Sequence, residues 1–214
     1  MDIAIPLFDQ FTALDAVGPY EVLSRLPGAT VHFLGTDGTG PKKTETGMLT
    51  ILTERPLEDF PHPEVIVVPG GFGTRKLMQD EATLEWVRGA HATSTWTTSV
   101  CTGSLLLGAA GLLEGLQATT HWLELESLRE LGAEPVEERV VRQGKVITAA
   151  GVSSGIDMAL TLAAEIAGPE WAQGIQLGIE YDPQPPFDAG APDKAPAEVT
   201  GFLRENSRFI TEGA

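Results

Sequence analysis

Apolar residues along the chain fall into two alternating patterns, short continuous runs and longer stretches of helical spacing. Ile3 to Phe8 is a short apolar run that predicts a strand, and Asp15 to Leu26 places Val17, Tyr20, Val22, Leu23 and Leu26 near helical spacing. Thr30 to Leu34 reads as a second strand. After the turn-rich segment Gly35 to Lys43, Met48 to Thr53 alternates and predicts a small extra strand or hairpin. Val65 to Val68 is apolar on both sides, as a strand in the middle of a parallel sheet must be, and it stops at Pro69-Gly70-Gly71. Thr74 to Ala92 has helical spacing at Leu77, Met78, Leu84, Trp86 and Val87, with Asp80 and Glu81 near its middle. Thr95 to Val100 is a strand that runs without a gap into Cys101-Thr102-Gly103-Ser104 and the helical segment Leu105 to Leu113. The second half predicts a helix over Trp122 to Leu131, strands around Val140 and over Val146 to Thr148, a long apolar helix from Gly155 to Ala167, and another from Pro169 to about Gly178. Strands alternating with helices imply right-handed crossovers. The expected fold class is therefore α/β, a doubly wound, mostly parallel sheet with helices on both faces. Tyr181 to Pro196 is too rich in proline for regular structure and is expected to form an ordered arm on the surface or on a partner subunit.

Length and charge narrow this picture. The 214 residues fit one α/β domain better than two, so residues 1–214 are read as a single domain with no internal repeat. Fourteen Lys and Arg against 30 Asp and Glu leave a formal charge of −16, which repels nucleic acid and anionic membrane surfaces. Ala92 to Leu113 is uncharged and long enough to span a bilayer, but its first half is rich in Thr and Ser and glycines interrupt the rest. It reads as a buried strand entering a helix. The N-terminal MDIAIPLFDQ lacks the basic and apolar regions of a secretory signal, so the expected location is the cytoplasm.

The one cysteine, Cys101, can form neither an internal disulfide nor a thiolate metal site, but it can be a nucleophile. It lies where an apolar strand becomes a helix, with small residues after it. A side chain on such an elbow sits at the carboxyl end of a parallel strand, beside the first amides of the helix. Those amides and the helix dipole are expected to lower the thiol pKa toward neutrality. A free cysteine can equally be a small buried hydrophobe. Gly70 and Gly71 follow the central strand, where bare backbone N–H groups can meet a substrate as it gains negative charge, although a plain tight turn explains them as well. Asp15 opens the first predicted helix. It is either an N-cap or a carboxylate on the ligand edge of the sheet, available for proton transfer. His121 is a candidate partner for the cysteine, but no carboxylate spacing around it suggests an orienting partner, and the four histidines show no metal-ligand spacing. Ser153-Ser154-Gly155 heads a long helix and could bind an anion or simply cap it.

The segment from Thr98 to Leu113 around Cys101, together with Ala118-Thr119-Thr120-His121-Trp122, resembles the ThiJ/PfpI branch of the class I glutamine amidotransferase-like superfamily, and within it the isocyanide (isonitrile) hydratases. Leu14-Asp15 with Gly18-Pro19, Pro69-Gly70-Gly71, Gly151 to Thr161, and Glu180-Tyr181-Asp182-Pro183 with Pro185-Pro186-Phe187 extend the match over nearly the whole chain. The resemblance implies a flavodoxin-like sandwich and a homodimer. It also implies Cys101 as nucleophile, Asp15 as its acidic partner and Thr102 as a supporting hydrogen-bonding residue. The implied reaction is addition of water to an isonitrile, giving an N-substituted formamide through a Cys101 thioimidate, with no cofactor and no metal. Protease-like members carry His directly after the cysteine, and Thr102 stands there in this chain, which argues against peptidase chemistry. Two alternatives remain. One is an aldehyde- or methylglyoxal-detoxifying enzyme using the same cysteine, and the other is a small-molecule sensor, for which an appended helix-turn-helix domain is expected and none is seen before Ala214.

Overall fold

Val65–Val68, buried at all four positions, forms the middle strand of a seven-stranded sheet in the computed structural model, which describes residues 1–206. The strands are β1 (Asp2–Leu7), β2 (Thr30–Gly35), β3 (Gly40–Lys43), β4 (Thr50–Thr53), β5 (Arg55–Pro56), β6 (Val65–Val68), β7 (Trp96–Val100), β8 (Gln117–Ala118), β9 (Glu134–Pro135), β10 (Val140–Gln143) and β11 (Val146–Ala149). The helices are α1 (Ala13–Leu23), α2 (Thr74–Leu77), α3 (Glu81–Thr93), α4 (Gly103–Ala109), α5 (Leu125–Glu130), α6 (Ser154–Ala167), α7 (Pro169–Gly178) and α8 (Ala197–Asn206). The main sheet has the order β10-β11-β7-β6-β1-β2-β5, and the pairings are parallel except that between β10 and β11. The strands β3 and β4 make a separate antiparallel hairpin, and β8 pairs with β9 in a small parallel sheet.

Two groups of helices cover the sheet, α1 with α6 and α7 in one, α2 to α5 in the other. This is the doubly wound α/β architecture expected from the pattern. From β1 the chain passes first to β2 on one side and then to β6 on the other, so the order reverses between β1 and β6. Open parallel sheets bind ligands outside the carboxyl ends of the strands at such a reversal. The loops that leave β1, β6 and β7 there carry Asp15, Gly70 with Gly71, and Cys101.

Three differences from the sequence expectation have local causes. Thr74 to Ala92 is two helices, because the chain turns at Gln79 and Asp80 begins α3, its carboxylate accepting from Thr83 Oγ1 at 2.5 Å. The segment Trp122 to Leu131 begins as a single 3₁₀ turn, Trp122–Glu124, before α5. The proline-rich stretch is irregular over residues 181–196 as expected, but Pro196 releases the chain into α8, which the apolar spacing of Val199, Phe202 and Leu203 could have signalled. The uncharged run from Ala92 to Leu113 takes in the end of α3, then β7 and α4. Among the described residues no helix is long and apolar enough to cross a membrane.

Candidate active site

Cys101 is fully buried and sits at φ 55°, a left-handed conformation uncommon for a residue with a side chain. The surroundings hold it there. Its N–H donates to the carbonyls of Ala149 and Ala150 at 3.1 and 3.0 Å, and its own carbonyl accepts from the hydroxyls of Thr120 and Ser104 at 3.0 and 3.1 Å. The strand therefore ends in a sharp elbow whose thiol faces the backbone N–H groups of Thr102 and Val152 and the carboxyl of Asp15. Val152 has φ 32°, a strained value for a β-branched residue, in the turn between β11 and α6.

Asp15 does not cap α1. Thr12 occupies the N-cap position without a side-chain cap bond, and Asp15 lies in the first turn, its carboxyl fully buried and turned toward the site. Its Oδ2 accepts from the Gly70 N–H at 2.9 Å, and Oδ1 is buried with no hydrogen-bond partner among the described residues. Burial holds the Asp15 carboxyl well above the usual carboxylate range. The nearby Glu45 adds to this, while the Gly70 N–H and the thiol oppose it. The expectation of a lowered thiol pKa is not met. Burial first, and the Asp15 carboxyl second, push the Cys101 thiol well above its ordinary range, and the Val152 and Thr102 amides offset this only in part. The ionised carboxyl opposes ionisation of the thiol beside it, so the pocket favours at most one negative charge on the pair.

The glycine amides are also not the open donors that the sequence suggested. Gly70 N–H serves Asp15, and Gly71 N–H donates to Thr102 Oγ1 at 2.9 Å. Thr74 Oγ1 also donates to Thr102 Oγ1, at 3.2 Å. The glycine loop therefore positions the acid and fastens the elbow through Thr102. A Cβ on Gly70 would lie 2.6 Å from the Thr102 nitrogen and 2.9 Å from Asp15 Oδ2. On Gly71, at φ 133°, it would lie 2.4 Å from the Gln10 carbonyl. The Gly71 clash is with the backbone of residues 10–12, which leads into the helix that carries Asp15. We expect Gly71→Ala to lower thermal stability by about 2 kcal/mol or more and to lower activity at least tenfold even where it remains folded, as checked by melting and by turnover at a temperature where the variant is native.

His121 Nδ1 accepts the Leu123 N–H at 3.3 Å, and burial lowers its pKa to about 4, so the ring is neutral near pH 7. That bond holds the ring in the 3₁₀ turn, and a Cβ on Gly151 would lie 2.8 Å from its Cδ2. Beyond Thr120, Gly151 and Val152 a groove of about 800 Å³ opens, lined also by His121, Trp122 and Pro192. Four contributors were not singled out by sequence reasoning: Val152, Thr120, Thr74 and Glu45. Thr120 lay in a motif that was read, but its hydroxyl's partner, the Cys101 carbonyl, is set by the adjacency of β7 and β11, which no local pattern encodes.

The DJ-1/PfpI family model matches residues 1–165, the span that holds every residue of this site. A Pseudomonas putida protein named isonitrile hydratase is 48% identical over 207 residues, 97% of this chain and 90% of that one. A ThiJ/PfpI family protein from Pseudomonas syringae superposes with a TM-score of 0.94 at 38% identity, covering 99% of this chain and 87% of that one. Drosophila melanogaster DJ-1beta shares the fold, with a TM-score of 0.76 at 22% identity over 84% of this chain and 97% of that one. A model match over three quarters of the sequence and a relative aligned almost end to end make one conclusion plain: the chain belongs to the DJ-1/PfpI family.

Proposed function

We propose that the protein hydrates isocyanides to N-substituted formamides, with Cys101 as nucleophile and Asp15 as acid and base. The carrying observation is the buried Asp15 carboxyl placed against an elbow thiol in a pocket that favours a single charge on the pair. An isocyanide carbon has a lone pair to accept a proton and becomes electrophilic once it has done so. It needs an acid and a nucleophile at the same atom.

The bonds balance within this pair. From the singly charged state with the proton on Asp15 and the charge on Cys101 Sγ, Asp15 gives its proton to the isocyanide carbon as Cys101 Sγ bonds to it, leaving a thioimidate, R–N=CH–S, and an ionised Asp15. The carboxylate then takes a proton from water as the hydroxide adds to carbon, and passes that proton to nitrogen. In the last step the new hydroxyl proton returns to Asp15 as the C–S bond breaks, releasing R–NH–CHO and restoring the pair. No electron is gained or lost, so the cycle calls for no redox partner. Thr102, Gly70 and Gly71 keep the two reacting groups in register, and the groove beyond Thr120 and Val152 offers space for the substituent R. The named relative from Pseudomonas putida supports the same reading.

The test is consumption of an aromatic isocyanide and of methylglyoxal by the purified protein, with the product identified. Formamide from the first and slow or no loss of the second is expected; the reverse preference would replace the hydratase with an aldehyde-consuming enzyme, and loss of neither would leave the sensor reading.

The proposal includes a homodimer acting in the cytoplasm. Leu177 on α7, Phe187 in the proline-rich arm and Phe202 on α8 are 78, 77 and 63% exposed, apolar side chains of the kind that a second copy would cover. Obligate interfaces bury about 2,000 Å² or more. Sedimentation at micromolar concentration is expected to give about twice the 22.7 kDa chain mass, and a species of one chain mass would contradict it.

A further inference from the structure

The loop between β3 and β4 crosses the start of α1 and is bonded to it. Glu45 N–H donates to the Phe11 carbonyl at 3.1 Å, and Thr12 Oγ1 donates to Glu45 Oε2 at 3.2 Å. Thr12 in turn donates its N–H to the Gly70 carbonyl at 2.8 Å and accepts the Asp15 N–H at 3.1 Å, while Gly70 donates to Asp15 Oδ2 at 2.9 Å. Phe11 is bridged to both Thr44 and Gly71, so this loop and the glycine loop are pinned to the same stretch of chain. Glu45 is thus the rim member of a hydrogen-bonded unit whose base is the buried Asp15. It is half-buried, and Asp15 is fully so.

We propose that Glu45, anchored through Thr12 at the rim of the site, is a positioning residue for the reaction: it fixes the start of α1 and opposes a second negative charge on the Asp15–Cys101 pair. The inference rests on the hydration reading for its kinetic consequence, but not for its electrostatic one. Its carboxylate lies close enough to act on both members of the pair, favouring the protonated form of each.

The other charged groups around α1 have partners of their own. On α1, Glu21 pairs with Arg25, and on α6, which packs against it, Asp157 pairs with Arg139 and Glu165 with Arg142. The strand β6 and residues 69–73 bring no ionisable side chain, and Arg75 beyond them pairs with Glu124. On the loop side Lys42 pairs with Asp37, and Asp9 accepts the Lys43 N–H. Tyr20 on α1 is partly exposed and packs on Phe33. Glu45 and the reacting pair form an acidic cluster at the start of α1, whose repulsion adds to the effect of burial on the working pH range.

The experiment is the pH profile of kcat/KM for wild type, Glu45→Gln and Thr12→Val with an aromatic isocyanide, alongside thiolate absorbance against pH in each protein without substrate. Glu45→Gln keeps the shape and removes the charge. Both limbs of its profile, and the onset of thiolate absorbance, are expected about one pH unit lower than in wild type, with high salt shrinking the difference. Thr12→Val, which keeps the charge but releases its anchor, is expected to move them the same way by less. Limbs and thiolate onset that stay in place, or a loss of rate equal at every pH, would overturn the proposal and leave Glu45 a structural loop residue. If wild type turns over no isocyanide, the hydration reading fails by itself; the thiolate titration then decides, a lower onset in Glu45→Gln supporting the role and an unchanged onset ending it.

Discussion

Isocyanide turnover falls to background when Cys101 is replaced by alanine, by about 10⁴-fold or more, while the protein stays folded. The size follows from what is removed. Without sulfur there is no thioimidate, and Asp15 alone would have to catalyse direct attack of water on a protonated isocyanide with nothing holding the carbon. The fold tolerates the change because the elbow is set by the backbone. Cys101 N–H is taken by Ala149 and Ala150, its carbonyl by Thr120 and Ser104, and none of these bonds uses the thiol. Losing one buried sulfur costs about 1 kcal/mol in packing. Cys101→Ser is expected to be inactive as well, since a hydroxyl buried there would ionise far less readily than the thiol. Turnover near the wild-type rate in either variant would remove the covalent step from the mechanism.

The second large effect is expected from Asp15→Asn, about 10²–10⁴-fold in rate with no loss of stability. The amide can keep its oxygen on the Gly70 N–H, so the geometry of the glycine loop survives, but it can neither deliver a proton to carbon nor take one from water. The stability consequence has a definite sign. In the folded protein Asp15 holds its proton to a higher pH than in the unfolded chain, because the carboxyl is buried. Over that range the unfolded chain binds fewer protons, so the contribution of this group to folding is complete at low pH and is lost as pH rises through its folded value. Asparagine has no charge to bury. The variant should melt at or above wild type, and its advantage should grow from acidic toward alkaline pH. The thiol should also ionise at lower pH, since Asp15 is a principal cause of its raised pKa. A variant that melts lower at alkaline pH, or that hydrates isocyanides at the wild-type rate, would return Asp15 to a purely structural role.

The order of elements was legible because the buried parallel strands carry an unbroken apolar signal. Val65 to Val68 and the run through Val100 into Cys101 located the middle of the sheet and the elbow. What local pattern could not supply was the electrostatics. The helix start behind Cys101 argued for a lowered thiol pKa, but the structure encloses the thiol completely and places Asp15, 86 positions away in the chain, beside it. Likewise Gly70 and Gly71 were correctly placed on the ligand edge, yet their N–H groups are taken by Asp15 and Thr102, side chains whose approach depends on strand order. Asp15 was read as either a cap or an acid. The sequence could not separate the two because the helix begins two residues earlier than its apolar spacing suggests, moving Asp15 off the cap and into the first turn.

The most direct test of the account is to mix the protein with an aromatic isocyanide, quench in acid within the first turnovers and measure the intact mass, followed by peptide mapping. A gain equal to one isocyanide molecule, located on the peptide containing Cys101, more abundant when hydrolysis is slowed and followed by release of the N-substituted formamide, is the expected result. Formamide released at full rate with no adduct on Cys101 at any quench time, and equally by Cys101→Ala, would contradict it.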